Sequence, residues 1–470
     1  MLRVIFILFI SYLFFSSCER IGTLNDSKLL FSEDTIYFDT VFSSVGSVTK
    51  ELRIKNRGKQ NLIVNHIYLS GGSSSRFRLN IDGEPVSEKF NVQIEAGDSI
   101  FIFVDVFVDP GNISSPIAVN DSIVFATGEK IQTVQLLAWG QDINLINSKT
   151  INSETWQKGK PYVIYEKVTV DTIETLTITE GTRIYFHRNA SMVIAGSIIV
   201  NGSTESPVLF AGDRLEKMFE DIPGQWKGIL ILNSAKANNI SNAIIRNAIY
   251  GIQVGEAIFS TEVPVLKLFS SVISHSAISG LSAINGNVEA ANCIFTHCGS
   301  NCIYLGAGGD YTFTNCTLFN IWDYGLRLSP ALLVKEKPER PEVKVTQMDV
   351  SLNNSVVYGD NQSELNIVPL STIFTGNYYF DHCLIRLDTL NASFWKKDEF
   401  PAAIINKNPL FIDVTVWDLR PDTLSPLINN GNPAFSAIYP YDIRGVSRTL
   451  NGNPDIGAFE RLPGEHKKVK

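Results

Sequence analysis

Between residues 30 and 141 apolar and polar side chains alternate with a period of two, in short runs divided by turn residues. Leu52-Ile54 and Ile100-Ile102-Val104-Val106-Val108 are the clearest runs. This period sets alternate side chains on one face of a strand, so each run predicts a half-buried strand. About seven such strands with turn signals every 8–12 residues predict a β-sandwich. From about Trp156 to Ile385 the pattern changes. Runs such as Pro161-Tyr162-Val163-Ile164, Gly181-Thr182-Arg183-Ile184-Tyr185-Phe186 and Trp226-Lys227-Gly228-Ile229-Leu230-Ile231 are very short. Glycine or asparagine separates them, never a stretch long enough for a helix.

An internal repeat emerges in this second part. Asn242-Ala243-Ile244-Ile245, Ser270-Ser271-Val272-Ile273, Asn292-Cys293-Ile294-Phe295 and Asn315-Cys316-Thr317-Leu318 align. Asn354-Ser355-Val356-Val357 and His382-Cys383-Leu384-Ile385 continue the series, with steps of 28, 22, 23, 39 and 28 residues. The second position is always small. A second register follows at Gly251-Ile252, Gly280-Leu281, Asn301-Cys302 and Gly325-Leu326. Its glycine or asparagine predicts a left-handed turn residue there. Small inward residues stacked in successive coils describe a right-handed parallel β-helix, with coils about 4.8 Å apart. The 39-residue step contains Lys335 to Lys344 (KEKPERPEVK), a charged, proline-bearing insertion that reads as a loop leaving the coil.

Several segments resemble known families. Leu52 to Gly58 with Leu62-Ile63-Val64 resembles the Hydin/ASPM type of immunoglobulin-like domain. The repeat resembles the β-helix of Bacteroidetes-type exported proteins. Ser425-Pro426-Leu427-Ile428, Asp442-Ile443-Arg444-Gly445, Arg448 and Pro454-Asp455-Ile456-Gly457-Ala458-Phe459-Glu460 resemble the closing cap of such proteins. A solenoid needs one because its last coil otherwise exposes an apolar end and an open strand edge. At the N-terminus Arg3 precedes the apolar run Val4–Phe15, and Ser16-Ser17-Cys18 follows it. That is a positive n-region, a short h-region and a small-residue cleavage site. The run is shorter than the roughly 20 residues that span a bilayer. A cysteine after two serines resembles the lipobox of bacterial lipoproteins, which implies lipid attachment at Cys18 and anchoring by acyl chains. The expected fold is therefore all-β: an N-terminal Ig-like β-sandwich followed by a right-handed parallel β-helix. The expected order is signal peptide 1–17, tether 18–32, sandwich 33–141, β-helix 142–390, C-terminal coils and cap 391–462, and tail 463–470.

The formal net charge is −8 over 470 residues, and loss of 1–17 takes away Arg3 to leave −9. That balance opposes nonspecific nucleic-acid binding. Lipidation of Cys18 leaves five cysteines, an odd number. Cys293, Cys316 and Cys383 share a repeat position with Ala243, Ser271 and Ser355, so that position is packing. Cys298 and Cys302 complete the set, and CxxC zinc spacing is absent. No metal or other cofactor is expected. None of the six histidines sits in HExxH; His275 and His297, 22 apart, are placed on adjacent coils.

No Asp-Asp pair marks a β-helix glycosidase, and no catalytic residue is assigned. The nearest set for a lyase is Asp310, Asp323 and Arg327. Tyr250, Trp322 and Tyr324 precede the recurring glycine and could stack on sugar rings, with Asp323 and Arg327 beside them. Asp followed by Ser or Thr and an aliphatic residue recurs at Thr35, Thr40, Ser99, Ser122, Thr172, Thr389 and Thr423. This resembles the O-glycosylation sequon of Bacteroidetes exported proteins; a turn aspartate opening a strand gives the same text.

The sequence thus points to an outer-membrane, lipid-anchored, noncatalytic module. It binds glycan, or docks as an accessory subunit on an integral outer-membrane barrel protein or complex. The alternative is a polysaccharide lyase or glycoside hydrolase of the β-helix type. Glu19 followed at once by Arg20 is only a partial surface-export signal, so either face of the outer membrane remains open.

Overall fold

The computed structural model describes residues 29–111, 116–235, 237–255, 262–338, 343–371, 375–394 and 396–466. Cys18, the signal segment and the tether up to residue 28 lie outside the described residues. The chain divides into two units, Met1–Asp142 and Ile143–Lys470.

The first unit holds two five-stranded sheets. Lys50–Lys55, Ser99–Val106 and Phe77–Ile81 form the centre of one, Lys130–Gln141, Ile117–Thr127 and Leu62–Leu69 that of the other. The period-two pattern places Leu52, Ile54, Ile102 and Val104 on the inner side of the first sheet. Ile36, Phe38, Val64, Phe125 and Leu136 face them from the second, within one buried core. The Phe38 and Phe77 rings meet across the layers with centroids 5.8 Å apart. The two layers make a β-sandwich.

The second unit is a parallel β-helix of three faces. Its first face is a sheet of eleven parallel strands. The other two belong to one sheet, because the long strands Ser279–Ala291 and Asn301–Thr314 run around the edge between them. Their pairing shifts register between Ile284 and Gly286, where the strand bends. Both sides of a parallel strand in such a coil cannot be apolar unless something covers the outside. Most outward positions of the second and third faces are accordingly polar or small.

The aligned first residues of the repeat, Asn242, Ser270, Asn292, Asn315, Asn354 and His382, have φ of 50, 45, 56, 53, 47 and 49°. They make the one-residue turn from the third face to the first, which suits asparagine. The next side chain then points inward into the stack. Cys293 Sγ donates to the Ala291 carbonyl (3.3 Å), Cys316 to Thr314 (3.4 Å) and Cys383 to Asp381 (3.4 Å). Ser271 and Ser355 donate their hydroxyls likewise, to Phe269 (2.7 Å) and Asn353 (2.8 Å). A small donor satisfies the turn carbonyl two residues back, which is why Ser and Cys interchange here. All five described cysteines are buried and unbonded to one another. Burial pushes the thiols of Cys293, Cys302 and Cys383 well above their ordinary pKa, so they stay protonated and inert.

The second register behaves differently from the expectation. Gly251 and Gly280 do not have positive φ; they lie within strands, and strand pairing aligns Tyr250 with Ser279 and Asn301. Gly280 therefore neighbours Cys302, not Asn301. A Cβ on Gly251 would come within 2.5 Å of the Gly280 carbonyl oxygen, so glycine there answers a close approach between coils. Gly325 and Leu326 are not in a coil strand at all. The left-handed residues of the first-to-second edge include Asn189, Asn247, His275 and His297.

The C-terminal segment also departs from the cap reading. Residues 411–459 return along the outer side of the first face rather than closing the last coil. Leu419 and Ala458 pack on Ile294 and Phe319, and Leu427 and Ile456 on Val356 and Leu384. This cover explains why outward positions of the first face are apolar. The interior stack ends in chain order at Phe394 and Phe400, with Phe400 stacked on Phe380 at 4.6 Å. Among the described residues no helix is long and apolar enough to cross a membrane.

Candidate functional site: a groove on the second face

The outward positions of the second face form columns, because parallel strands in register place equivalent residues one above another. One column runs Leu230, Gln253, Ser282, Tyr304, Leu333; a second runs Tyr250, Ser279, Asn301, in which Ser279 and Asn301 are buried and Asn301 Nδ2 donates to the Pro330 carbonyl at 2.6 Å. They line a groove of about 550 Å³. Pro338 and Val343 wall it, so the charged insertion read as a loop leaves the coil at the groove's rim. The loop is anchored from below. Glu336 is buried and accepts the Tyr378 hydroxyl at 2.6 Å and the backbone N–H groups of Leu370, Thr375 and Gly376. Burial alone pushes its carboxyl up, but these donors outweigh that and hold it below the ordinary range. The Tyr304 ring lies along Gly306, where a Cβ would sit 3.0 Å from the ring.

Of the predicted contact residues, only Tyr250 is in this groove. Trp322 and Tyr324 meet edge to face with centroids 5.2 Å apart, on the excursion after the strand Thr317–Asn320. Tyr324 donates its hydroxyl to the Asp221 carbonyl (3.0 Å), tying this excursion to the one after Val208–Gly212. Between them stand the stacked rings of His275 and His297, centroids 4.7 Å apart, on adjacent coils as the spacing predicts. Trp417 from the returning segment meets His297 edge-on at 3.5 Å. Burial holds both imidazoles below their ordinary pKa, His297 at about 3. His275 Nε2 faces Asp221 Oδ1 at 3.6 Å.

Arg327 is corrected most sharply. It is buried, and its guanidinium meets the fully buried Glu364 side by side, Nη2 to Oε1 at 2.6 Å and Nη1 to Oε2 at 2.9 Å. Its remaining hydrogen bonds go to the carbonyls of Asn320 and Ser329. It cannot reach a ligand. Asp310 lies on the third face, aligned with Asn287 and Asp349, while Asp323 is exposed on the first-to-second edge. The set Asp310, Asp323 and Arg327 is thus dispersed. No group of three His, Cys, Asp or Glu able to hold a metal occurs among the described residues.

The seven Asp-Ser/Thr-aliphatic tripeptides divide by exposure. In the sandwich the aliphatic partners Ile36, Val41, Ile100 and Ile123 are buried; Asp34 and Asp98 open strands, while Asp39 and Asp121 lie within them. Beyond it Ile173, Leu390 and Leu424 are 90%, 95% and 84% exposed, beside exposed Thr172, Thr389 and Thr423.

Gln253, Asn301 and Tyr304 are not predicted as site residues. Gln253 is the outward position three residues after Tyr250, and Asn301 and Tyr304 stand two coils on, Asn301 buried in Tyr250's own column and Tyr304 in that of Gln253. The sequence carries no signal for Trp417, since its histidine partners are more than a hundred residues away.

Two family models match the chain. One, described as a right handed beta helix region, matches residues 227–387; the other, a pectate-lyase like beta helix domain, matches residues 148–256. No curated protein matches the chain. Among solved structures, a family 123 glycoside hydrolase from Clostridium perfringens is 12% identical, with 26% of each chain covered and a TM-score of 0.18. The chain thus spans about a quarter of that protein. The PapD-like domain 7 of human CEP192 is 12% identical over 27% of this chain and 92% of its own, TM-score 0.18. The catalytic domain of a GH87 alpha-1,3-glucanase in complex with nigerose is 10% identical over 73% of this chain and 75% of its own, TM-score 0.18.

Proposed function

From a right-handed parallel β-helix with an open groove on one face, we propose a noncatalytic binding module of the cell envelope. It is held at the outer membrane by lipid on Cys18, and the groove takes a glycan. One observation carries this reading. The groove offers aromatic faces, hydroxyls and carboxamides, and no carboxylate lines it among the described residues. Glycoside hydrolysis by the usual route needs two carboxyl groups about 5–10 Å apart across the bond. The dispersal of Asp310, Asp323 and Arg327 weakens the lyase alternative in the same way. The expected result with a panel of polysaccharides is retardation of the full chain in affinity gels with no release of reducing ends or unsaturated product. Sustained turnover that is lost on Tyr250→Ala would reverse the reading.

Docking on an integral outer-membrane barrel or complex is the second reading, favoured by an inversion at residues 326–328. Leu326 and Leu328 are 85% and 83% exposed while Arg327 between them is buried. Hydrophobic burial alone would favour the opposite arrangement, and exposed apolar patches mark contact surfaces. With Leu326 and Leu328 both changed to Asp, the chain should keep its melting temperature and lose co-purification with the barrel after mild detergent extraction. Unchanged co-purification would rule this surface out.

The exposure split supports O-glycosylation at Thr172, Thr389 and Thr423, where an enzyme can reach the whole tripeptide. Peptide mass mapping of exported protein should find glycan there and none at Thr35, Thr40, Ser99 or Ser122. Bare peptides at the exposed three would refute this.

A further inference from the structure

We propose that the outer face of the sandwich's second sheet lies on the phospholipid surface that holds the lipid of Cys18. This rests on the anchoring reading above and adds a second contact with the same membrane. The three central strands of that sheet are Lys130–Gln141, Ile117–Thr127 and Leu62–Leu69. Their outward positions alternate with the buried ones and include Ile131, Leu137, Trp139, Val124 and Tyr68, and none of them is Asp, Glu, Lys or Arg. Asp121 and Lys130 pair with Leu136 and Thr127, whose side chains face the core. The other sheet of the same sandwich is the contrast. On its outer face Glu51 and Arg53 flank Phe103 and Phe101, and Arg78 Nε pairs with Asp105 Oδ1 at 2.6 Å. A face of that kind keeps its water, because desolvating charge is costly; the uncharged face gives its water up far more readily.

Large apolar side chains stand open at both ends of the face. At one end strand pairing sets Phe90, His66, Ala126 and Ile131 in a row, with the His66 ring stacked on Phe90 at 4.0 Å. Phe90 and Ile131 are exposed, and the charge nearest the row, Glu88, is held at the rim by His66 Nε2 at 2.8 Å. At the other end stand exposed Trp139 and Tyr37, the latter paired with Leu137. Trp139 is eight residues beyond Ile131, about 27 Å along the strand. Tryptophan and tyrosine suit the membrane interface because one end of the ring is apolar and the other polar. The tether argues for lipid as the occupant. Leu29 donates its backbone N–H to the Gln132 carboxamide at 2.8 Å and accepts from it at 3.2 Å, so the chain enters the sandwich beside Ile131. Ten residues, 19–28, separate Leu29 from Cys18. Fully extended they reach at most about 35 Å. Acyl chains on Cys18 therefore keep the Phe90–Ile131 row within reach of the bilayer, where even a weak contact is favoured by its high effective concentration.

The test uses the full exported chain reconstituted on vesicles of phosphatidylethanolamine and phosphatidylglycerol that contain a headgroup-nitroxide lipid. A fluorophore is placed on Thr133→Cys or Gln135→Cys, outward positions in the middle of the face, and on Arg53→Cys of the other sheet as the control; the native cysteines in both units are buried. Lipid nitroxide should remove most of the emission at 133 and 135 and leave that at 53. Added salt should not restore it, since no lysine or arginine at these positions meets the phosphates. Combined Phe90→Asp, Ile131→Asp and Trp139→Asp should abolish the quenching while the chain still floats with the vesicles and keeps its melting temperature. Equal quenching at 53 and at 133 and 135, in a chain that floats, would overturn the proposal and leave lipid anchoring in place. A chain that carries no acyl mass at Cys18 and does not float would overturn both.

Discussion

Arg327→Ala is expected to lower unfolding free energy by about 3–5 kcal/mol and to leave groove binding intact. The pair it breaks is completely enclosed, with Glu364 fully buried. Glu364 also accepts the backbone N–H groups of Ala331 and Asn361, both at 2.7 Å. Its carboxylate is therefore the hub that fixes two turns. Gly359 has no side chain because a Cβ would sit 2.4 Å from Glu364 Oε1. Removing the guanidinium leaves a buried carboxylate without its cation and takes one donor each from the carbonyls of Asn320 and Ser329. Lysine cannot restore the paired geometry, since it offers a point charge in place of a planar fork. Arg327→Lys should therefore recover only part of the loss. Leu326→Ser, one residue away on the exposed side, should stay within about 0.5 kcal/mol. Urea unfolding of the three variants checks the ordering. An Arg327→Ala chain of unaltered stability that no longer binds glycan would return the residue to the ligand-contact role.

This contrast shows what the sequence makes legible. The strands of both units follow from apolar periodicity, and the repeat of Asn242, Ser270, Asn292, Asn315, Asn354 and His382 marks a real turn. Its second position is readable as packing because Ala, Ser and Cys share a size. Stacking of His275 on His297 follows from coil length alone. Gly251 and Gly280 are misread because a glycine's absence of side chain and its freedom at positive φ leave the same mark in sequence. Trp322, Tyr324 and Arg327 are misassigned because their excursion leaves the coil, so the rule for which side points inward no longer holds there. Tyr304 and Gln253 become visible only when the register of neighbouring coils is known, and excursions such as residues 213–227 hide that register.

The flank position of the C-terminal segment was beyond pattern reading, since its contacts join residues as far apart as Asn292 and Arg448. That arginine carries the second large expectation. Arg448→Ala should destabilise the segment by about 3–5 kcal/mol and release it before the β-helix unfolds. Arg448 is wholly buried, and its Nη2 donates to Asn292 Oδ1 at 2.8 Å and to the Gly457 carbonyl at 3.0 Å. It is the cation enclosed among Asp442, Asp455 and Glu460. Asp442 accepts the N–H groups of Arg444, Val446 and Glu460, and Asp455 those of Asn429 and Arg461. Loss of the guanidinium leaves these acids facing one another and Asn292 without its partner. The segment then detaches as a unit because its apolar residues sit in clusters of their own on the flank, while the interior stack is complete at Phe400. Limited proteolysis should yield a stable fragment ending shortly after Phe400, and the uncovered Ile294, Phe319, Val356 and Leu384 should make that fragment aggregate. Glu460 supplies a control of opposite sign. Burial, with Asp455 next, raises its pKa to about 8 from an ordinary 4.5, so its stability contribution is full below pH 4.5 and is lost as pH rises through 8. Glu460→Gln should therefore be tolerated at neutral pH and flatten the fall between pH 4.5 and 8. A single cooperative transition in Arg448→Ala, with midpoint unmoved, would mean the segment is held by its apolar contacts alone.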